Sequence, residues 1–160
     1  MRVFLDSDVL FDSVDDLRTA TLLRRIKNAG HEIIIPVSVL GEIMLICISE
    51  EREEDLLCIR NICSELKPLF IVSLEQFGIC NLCLKEFDER SFNLTDKDHL
   101  AHALAYSSLF NDGKENYFLT TDLYLLDFML PCVGHSMKCS LFDKKTVLKI
   151  VDKEMIRTLL

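Results

Sequence analysis

Five acidic residues, Asp6, Glu42, Asp96, Asp98 and Asp122, lie far apart in the chain, yet each stands where an apolar run ends or a helix begins. Carboxylates gathered from distant segments repel one another, and the repulsion raises some of their pKa values. A divalent cation relieves it. Hard oxygen donors with no His or Cys among them select Mg²⁺ or Mn²⁺ over zinc. Taken singly, an acid at a helix start does no more than complement the helix dipole. Only a fold that brings these acids together makes a site, so the elements that carry them matter most.

Met1 to Leu5 is a short apolar run that stops at Asp6-Ser7-Asp8 and predicts a buried strand. Asp15 and Asp16 open a helix through Leu17, Leu22, Leu23 and Ile26, closed by Gly30, with Arg24, Arg25 and Lys27 near its C-terminus where the dipole favours cations. Ile33-Ile34-Ile35 predicts a second strand, halted by Pro36. Ser38 is expected to cap the next helix, which places Leu40, Ile43, Met44 and Cys47 on one side. The charged stretch from Glu50 to Asp55 leads into another amphipathic helix ending near Pro68. Phe70-Ile71-Val72 predicts a third strand and Gln76 to Glu89 a further helix.

Thr95-Asp96-Lys97-Asp98 forms a capping box ahead of a helix from His99 to Leu109. Asn111-Asp112-Gly113 is a turn, Tyr117 to Thr120 a fourth strand, and Leu123 to Leu130 a helix ended by Pro131. Val147 to Val151 predicts a last strand, and Asp152 is placed to cap a terminal helix. Strands alternating with helices predict an α/β/α sandwich around a central, largely parallel sheet of four or five strands. With no repeat, low-complexity tract or linker, residues 1–160 read as a single domain. In such sheets functional residues gather at the carboxyl ends of the strands. Asp6 and Asp8 follow the first strand, Glu42 lies in the helix after the second, and Asp122 follows the fourth. Asp96 and Asp98 open the helix that precedes the fourth strand.

Bulk properties agree with a packed domain. Hydrophobic residues make up 49% of the 160, enough for a filled core. No apolar run approaches the roughly 20 residues of a membrane span. The start meets Asp6 and Asp8 too early for a signal peptide, so a soluble, cytoplasmic protein is expected. Seven cysteines, an odd number set mostly among apolar neighbours such as Ile46-Cys47-Ile48 and Leu57-Cys58-Ile59, predict reduced, buried thiols. A formal charge of −8 is unlike a duplex-binding surface, although cations held by carboxylates reverse the local field.

Four segments carry a resemblance. Leu5-Asp6-Ser7-Asp8-Val9-Leu10 resembles the opening of PIN domains, an apolar strand ending in Asp, any residue, then Asn or Asp and an apolar pair. Ser38-Val39-Leu40-Gly41-Glu42-Ile43 is similar to the second motif of that family, a helix start with a lone Glu. Asp96-Lys97-Asp98-His99-Leu100-Ala101-His102-Ala103-Leu104 resembles the third, in which Asp heads an Ala-rich helix. Phe118-Leu119-Thr120-Thr121-Asp122 resembles the fourth, a strand running into Thr-x-Asp. Each motif alone is weak; their order and coarse spacing hold from residue 1 to about residue 130. The family is rich in metal-dependent ribonucleases, including the VapC toxins of toxin–antitoxin pairs.

The resemblance implies that Asp6, Glu42, Asp96 and Asp122 hold Mg²⁺ or Mn²⁺ directly or through water, for hydrolysis of phosphodiester bonds in RNA. It assigns Thr120 a supporting role orienting Asp122, and Asp8 a similar role or that of a further ligand. The third motif leaves two readings open. Asp98 satisfies the capping box with Thr95, whereas Asp96 shares a helix row with Leu100 and Leu104 and is the better candidate ligand. RNA as substrate, an antitoxin protein as partner, and a homodimer are all implied by the family and not by the residues. Phe11, Tyr124, Arg18 and Lys97 are available for stacking or phosphate contacts, but core packing and solvated surface are their ordinary roles. Residues 131–145 depart from the compact family pattern and read as a lid, an interface or an insertion.

Three rival readings carry less. Cys80-x-x-Cys83 with Cys132, His135 and Cys139 supplies enough ligands for structural zinc, but the spacings lack the tight pairing of such sites. His99 and His102 are one turn apart without further His partners, and packed or surface histidines are expected. A response-regulator-like Mg²⁺ domain calls for an acid pair after the first strand, an Asp after the third and a Lys after the fifth. Here Asp6 and Asp8 are separated, Ile71-Val72-Ser73-Leu74 lacks the Asp, and no strand-end Lys is evident. A PIN fold kept as an inactive binding module is the remaining alternative, against which the complete acid set argues.

Overall fold

The computed structural model describes residues 1–71, 99, 103, 107, 113–126 and 148–160. Five strands form one sheet: β1 (Arg2–Leu5), β2 (Glu32–Pro36), β3 (Leu69–Ile71), β4 (Asn116–Leu119) and β5 (Leu148–Val151). Their order is β3-β2-β1-β4-β5, and every pairing is parallel. The chain builds outward from β1 to β3, then returns to the other side of β1 for β4 and β5. The direction of strand order thus reverses between β1 and β4, where an open α/β sheet leaves a crevice outside its carboxyl ends. In register, Leu5 sits opposite Leu119, and the Asp6 N–H extends the ladder to the Leu119 carbonyl at 3.1 Å. Asp6 and Thr120 therefore emerge side by side at this point.

Both sheet faces are covered. Val3, Leu5, Ile33, Ile35, Tyr117, Leu119 and Val151 join a cluster with the helices, while the alternate residues Phe4, Ile34 and Phe118 are fully buried as well. Burial on both faces is why these strands read as continuous apolar runs rather than as alternating ones. The helical layer is built from α1 (Ser7–Asp15), α2 (Leu17–Asn28), α3 (Val37–Ser49) and α4 (Glu53–Leu66). A short α5 (Leu123–Leu126) follows β4, and α6 (Lys153–Leu159) follows β5. Asp16 caps α2 by accepting from the Arg18 and Thr19 N–H groups, and Asp152 caps α6 through the Met155 N–H. Gly30, at φ +77, supplies the left-handed turn that ends α2.

Several sequence expectations need correction. The stretch after Asp6 is helical from Ser7 onward, so a separate helix precedes the one opened by Asp16. Ser38 does not cap α3; the helix starts at Val37, with Pro36 at the cap position and no side-chain cap bond. The buried row of α3 is Val39, Ile43 and Cys47, whereas Met44 is exposed. Cys47 is buried as expected, but Cys58 is exposed and Cys63 half-buried. The predicted helix at Gln76–Glu89, the capping box at Thr95–Asp98 and the zinc candidates Cys80, Cys83, Cys132, His135 and Cys139 lie outside the described residues, as do residues 131–145.

The sheet also separates this fold from a response regulator, whose strands follow the order 2-1-3-4-5. A lysine does follow β5, contrary to the sequence reading, but the Lys153 ammonium is bound by Asp12 at 2.7 Å and Thr19 at 3.1 Å. No helix among the described residues is long and apolar enough to cross a membrane.

Candidate metal centre

Asp6 is placed by β1 and immediately caps α1, one carboxylate oxygen accepting the Ser7 N–H at 2.9 Å. It is only 3% exposed. Burial, and then the neighbouring Asp8, push its pKa up to about 7, against the smaller opposing effects of Thr120, His99 and the Ser7 N–H. Asp8, in the first turn of α1, is also raised, again chiefly by burial. One of its oxygens, Oδ2, accepts from the Thr121 N–H at 2.7 Å, the Thr121 hydroxyl at 2.6 Å and the Thr120 hydroxyl at 3.1 Å. The other, Oδ1, is buried with no hydrogen-bond partner among the described residues.

Thr120 ties the two strand ends together. Its hydroxyl donates to Asp8 and accepts the Asp122 backbone N–H at 3.0 Å. It therefore fixes the backbone of Asp122 and the side chain of Asp8. Asp122 is half-buried at the start of α5.

Glu42 projects from α3 and meets His99. The histidine is fully buried, with Nε2 at 2.8 Å from Glu42 Oε2 and Nδ1 at 2.8 Å from the Ser38 hydroxyl. One ligand atom each from Asp6, Glu42 and His99 all lie within 4.8 Å of one another. Among the described residues, Asp8 and Asp122 are not part of that set. Asp96 and Asp98 lie outside the described residues, so the choice between them rests on sequence.

His99 is the residue that the sequence reading missed. Packed it is, but against the acids and not in an apolar core. Ala103 and Ser107, at successive intervals of four, are helical and buried like it, the spacing of one helix row. The signal available in the sequence was adjacency: His99 directly follows the acids of the third motif.

Buried Asp6, holding its proton to about pH 7, and half-buried Asp8 beside it, with one oxygen orphaned among the described residues, repel one another. A divalent cation would relieve that repulsion, so the residues present fit such an ion.

With this geometry in place, comparison with known proteins bears on the fold. No family model matches the chain, and no curated protein is similar to it in sequence. Among solved structures, it matches a chain of the crystal structure of VapBC2 from Rickettsia felis bound to a DNA fragment from their promoter. The TM-score is 0.61 at 13% identity, over 95% of this chain and 100% of that one. The fold is PIN-like. In a PIN-like sheet the crevice between β1 and β4 is where Asp6, Asp8 and Thr120 emerge, and Glu42 and His99 close on it from the helices.

Proposed function

We propose that this protein is a Mg²⁺- or Mn²⁺-dependent ribonuclease, built as a single cytoplasmic domain and acting on single-stranded RNA. The observation that carries the reading is the convergence of Asp6 and Glu42, with His99, in a largely buried cluster at the strand-order reversal. Asp6 and Glu42 would hold the cation, with Asp122 and Asp96 completing the set from the neighbouring segments and Asp98 as the alternative in the third motif. Asp8 and Thr120 would support them: Asp8 adds negative charge beside Asp6, and Thr120 fixes the segment that bears Asp122. Such an ion, when bound, activates water for attack on a phosphodiester and neutralises the charge that develops. The burial of Asp6 excludes bulk water from one side of the cluster, which strengthens every electrostatic interaction there.

The likeness to a chain of the VapBC2 structure supports a further step, a toxin of a toxin–antitoxin pair whose partner is an antitoxin protein. A homodimer belongs to the same reading.

The test is cleavage of a single-stranded RNA. Activity should appear with Mn²⁺ or Mg²⁺ and vanish with chelator, whereas an inactive binding module would bind RNA and leave it whole. Asp96→Asn should lose more activity than Asp98→Asn under the same conditions. The opposite order would move the third ligand to Asp98.

A further inference from the structure

We propose that His99 is itself a ligand of the cation, so that the centre offers a nitrogen as well as carboxylate oxygens and discriminates for Mn²⁺ against Mg²⁺. This rests on the metal-dependent reading above and deepens it. On an octahedral ion with ligand distances of about 2.1 Å, neighbouring donors lie about 3 Å apart and opposite ones about 4.2 Å apart. The 2.8 Å between His99 Nε2 and Glu42 Oε2 suits neighbouring donors, and the 4.8 Å bound that includes Asp6 leaves only a small closure for all three to meet one ion. One proton on Nε2 can bridge to only one carboxylate at a time, yet the ligand atoms of two, Asp6 and Glu42, lie within 4.8 Å of the histidine's. A cation is shared by all three.

The second nitrogen completes the case. Metal-bound imidazoles almost always donate their other ring N–H to a fixed acceptor, which sets the tautomer and the ring plane. Ser38 stands at that place, 2.8 Å from Nδ1. It comes from the first turn of α3, and Glu42 lies four residues further on the same helix. Residues four apart share a helix face, so α3 presents one ligand and the group that orients another. With Nδ1–H donating to Ser38, the Nε2 lone pair is left pointing at the carboxylates, a repulsive arrangement without a cation between them. Imidazole favours the later divalent metals, zinc among them, so a donor set with His99 departs from the oxygen-only set expected from sequence. Of Mn²⁺ and Mg²⁺, Mg²⁺, which prefers oxygen donors, gains less.

The experiment is pulsed electron paramagnetic resonance on the Mn²⁺-loaded full chain, read for ¹⁴N hyperfine coupling, with Mn²⁺ and Mg²⁺ affinities measured by calorimetry. The wild type should show the coupling and bind Mn²⁺ more tightly than Mg²⁺. His99→Gln should lose the coupling and at least about tenfold in Mn²⁺ affinity, with a smaller change for Mg²⁺. Ser38→Ala, which leaves every ligand in place, should weaken Mn²⁺ binding by about tenfold or more and retain the coupling. Mn²⁺ bound without ¹⁴N coupling, or with coupling that survives in His99→Gln, would overturn the assignment and leave His99 as the residue that holds Glu42. A wild type that binds neither ion would overturn the metal-dependent reading itself, and this inference with it.

Discussion

Asp6→Asn is expected to lower metal-dependent RNA cleavage by at least about a hundredfold, because a cation's charge stabilisation is worth several kcal/mol and each 1.4 kcal/mol is a factor of about ten. The substitution isolates charge from structure. Asn is as good a helix N-cap as Asp, and its side-chain oxygen can still accept the Ser7 N–H that Asp6 holds at 2.9 Å. The side chain also keeps its size in a position only 3% exposed. What changes is the negative charge, on which cation affinity depends. Initial rates on a single-stranded RNA at saturating Mn²⁺, alongside calorimetric Mn²⁺ binding, separate the two contributions. Weakened Mn²⁺ binding together with a rate loss that persists at saturating Mn²⁺ makes Asp6 a ligand. Undiminished cleavage in the variant would remove Asp6 from the mechanism.

How much of this was legible in the sequence depends on the kind of signal each residue left. The strands were legible because Val3, Phe4 and Leu5, like Ile33, Ile34 and Ile35, are buried on both sheet faces and so form unbroken apolar runs. Asp6 stood out because an acid directly after such a run has few structural reasons to be there. The same prominence hid a second function: Asp6 also caps α1, and a helix that starts at once after a strand was not separated from the one opened by Asp16. Ser38 failed differently. A serine near a helix start suggests a cap, but Pro36, at φ −59, takes the cap position, α3 begins at Val37, and the Ser38 hydroxyl meets His99. His99 was illegible for a related reason. A lone histidine on an Ala-rich helix carries no spacing signature, and its contacts with Ser38 and Glu42 span about sixty residues of chain. Only the folded arrangement brings those three together.

The charge that serves a cation should weaken the metal-free fold. Asp6 holds its proton to about pH 7 in the folded protein, against about 3.9 for an unfolded aspartate. Protonation therefore favours folding. The contribution is full below about pH 4, declines as pH rises, and is gone above about pH 7. Asp8, raised in the same direction, acts with it. For Asp6 alone the difference corresponds to at most about 4 kcal/mol between those limits. Glu32 is shifted the opposite way, by Lys114 first and then by Arg2, so its stabilisation is lost on acidification only near the ordinary carboxylate range.

Between about pH 5.5 and pH 8 the raised pair should dominate, and metal-free wild type should melt at a higher temperature at the lower pH. Asp6→Asn should flatten that dependence and be as stable as the wild type at pH 8, or more so. Saturating Mn²⁺ should reverse the ranking at pH 8, stabilising the wild type by about 2.7 kcal/mol at a hundred times its dissociation constant and the variant by much less. Thermal melts of both proteins at the two pH values, with and without Mn²⁺, measure all of this. A variant strongly destabilised without metal would show that Asp6 acts first as a structural hydrogen-bonding residue. A wild type that melts higher at pH 8 than at pH 5.5 without metal would show that the acids are already countered by charges of the protein itself.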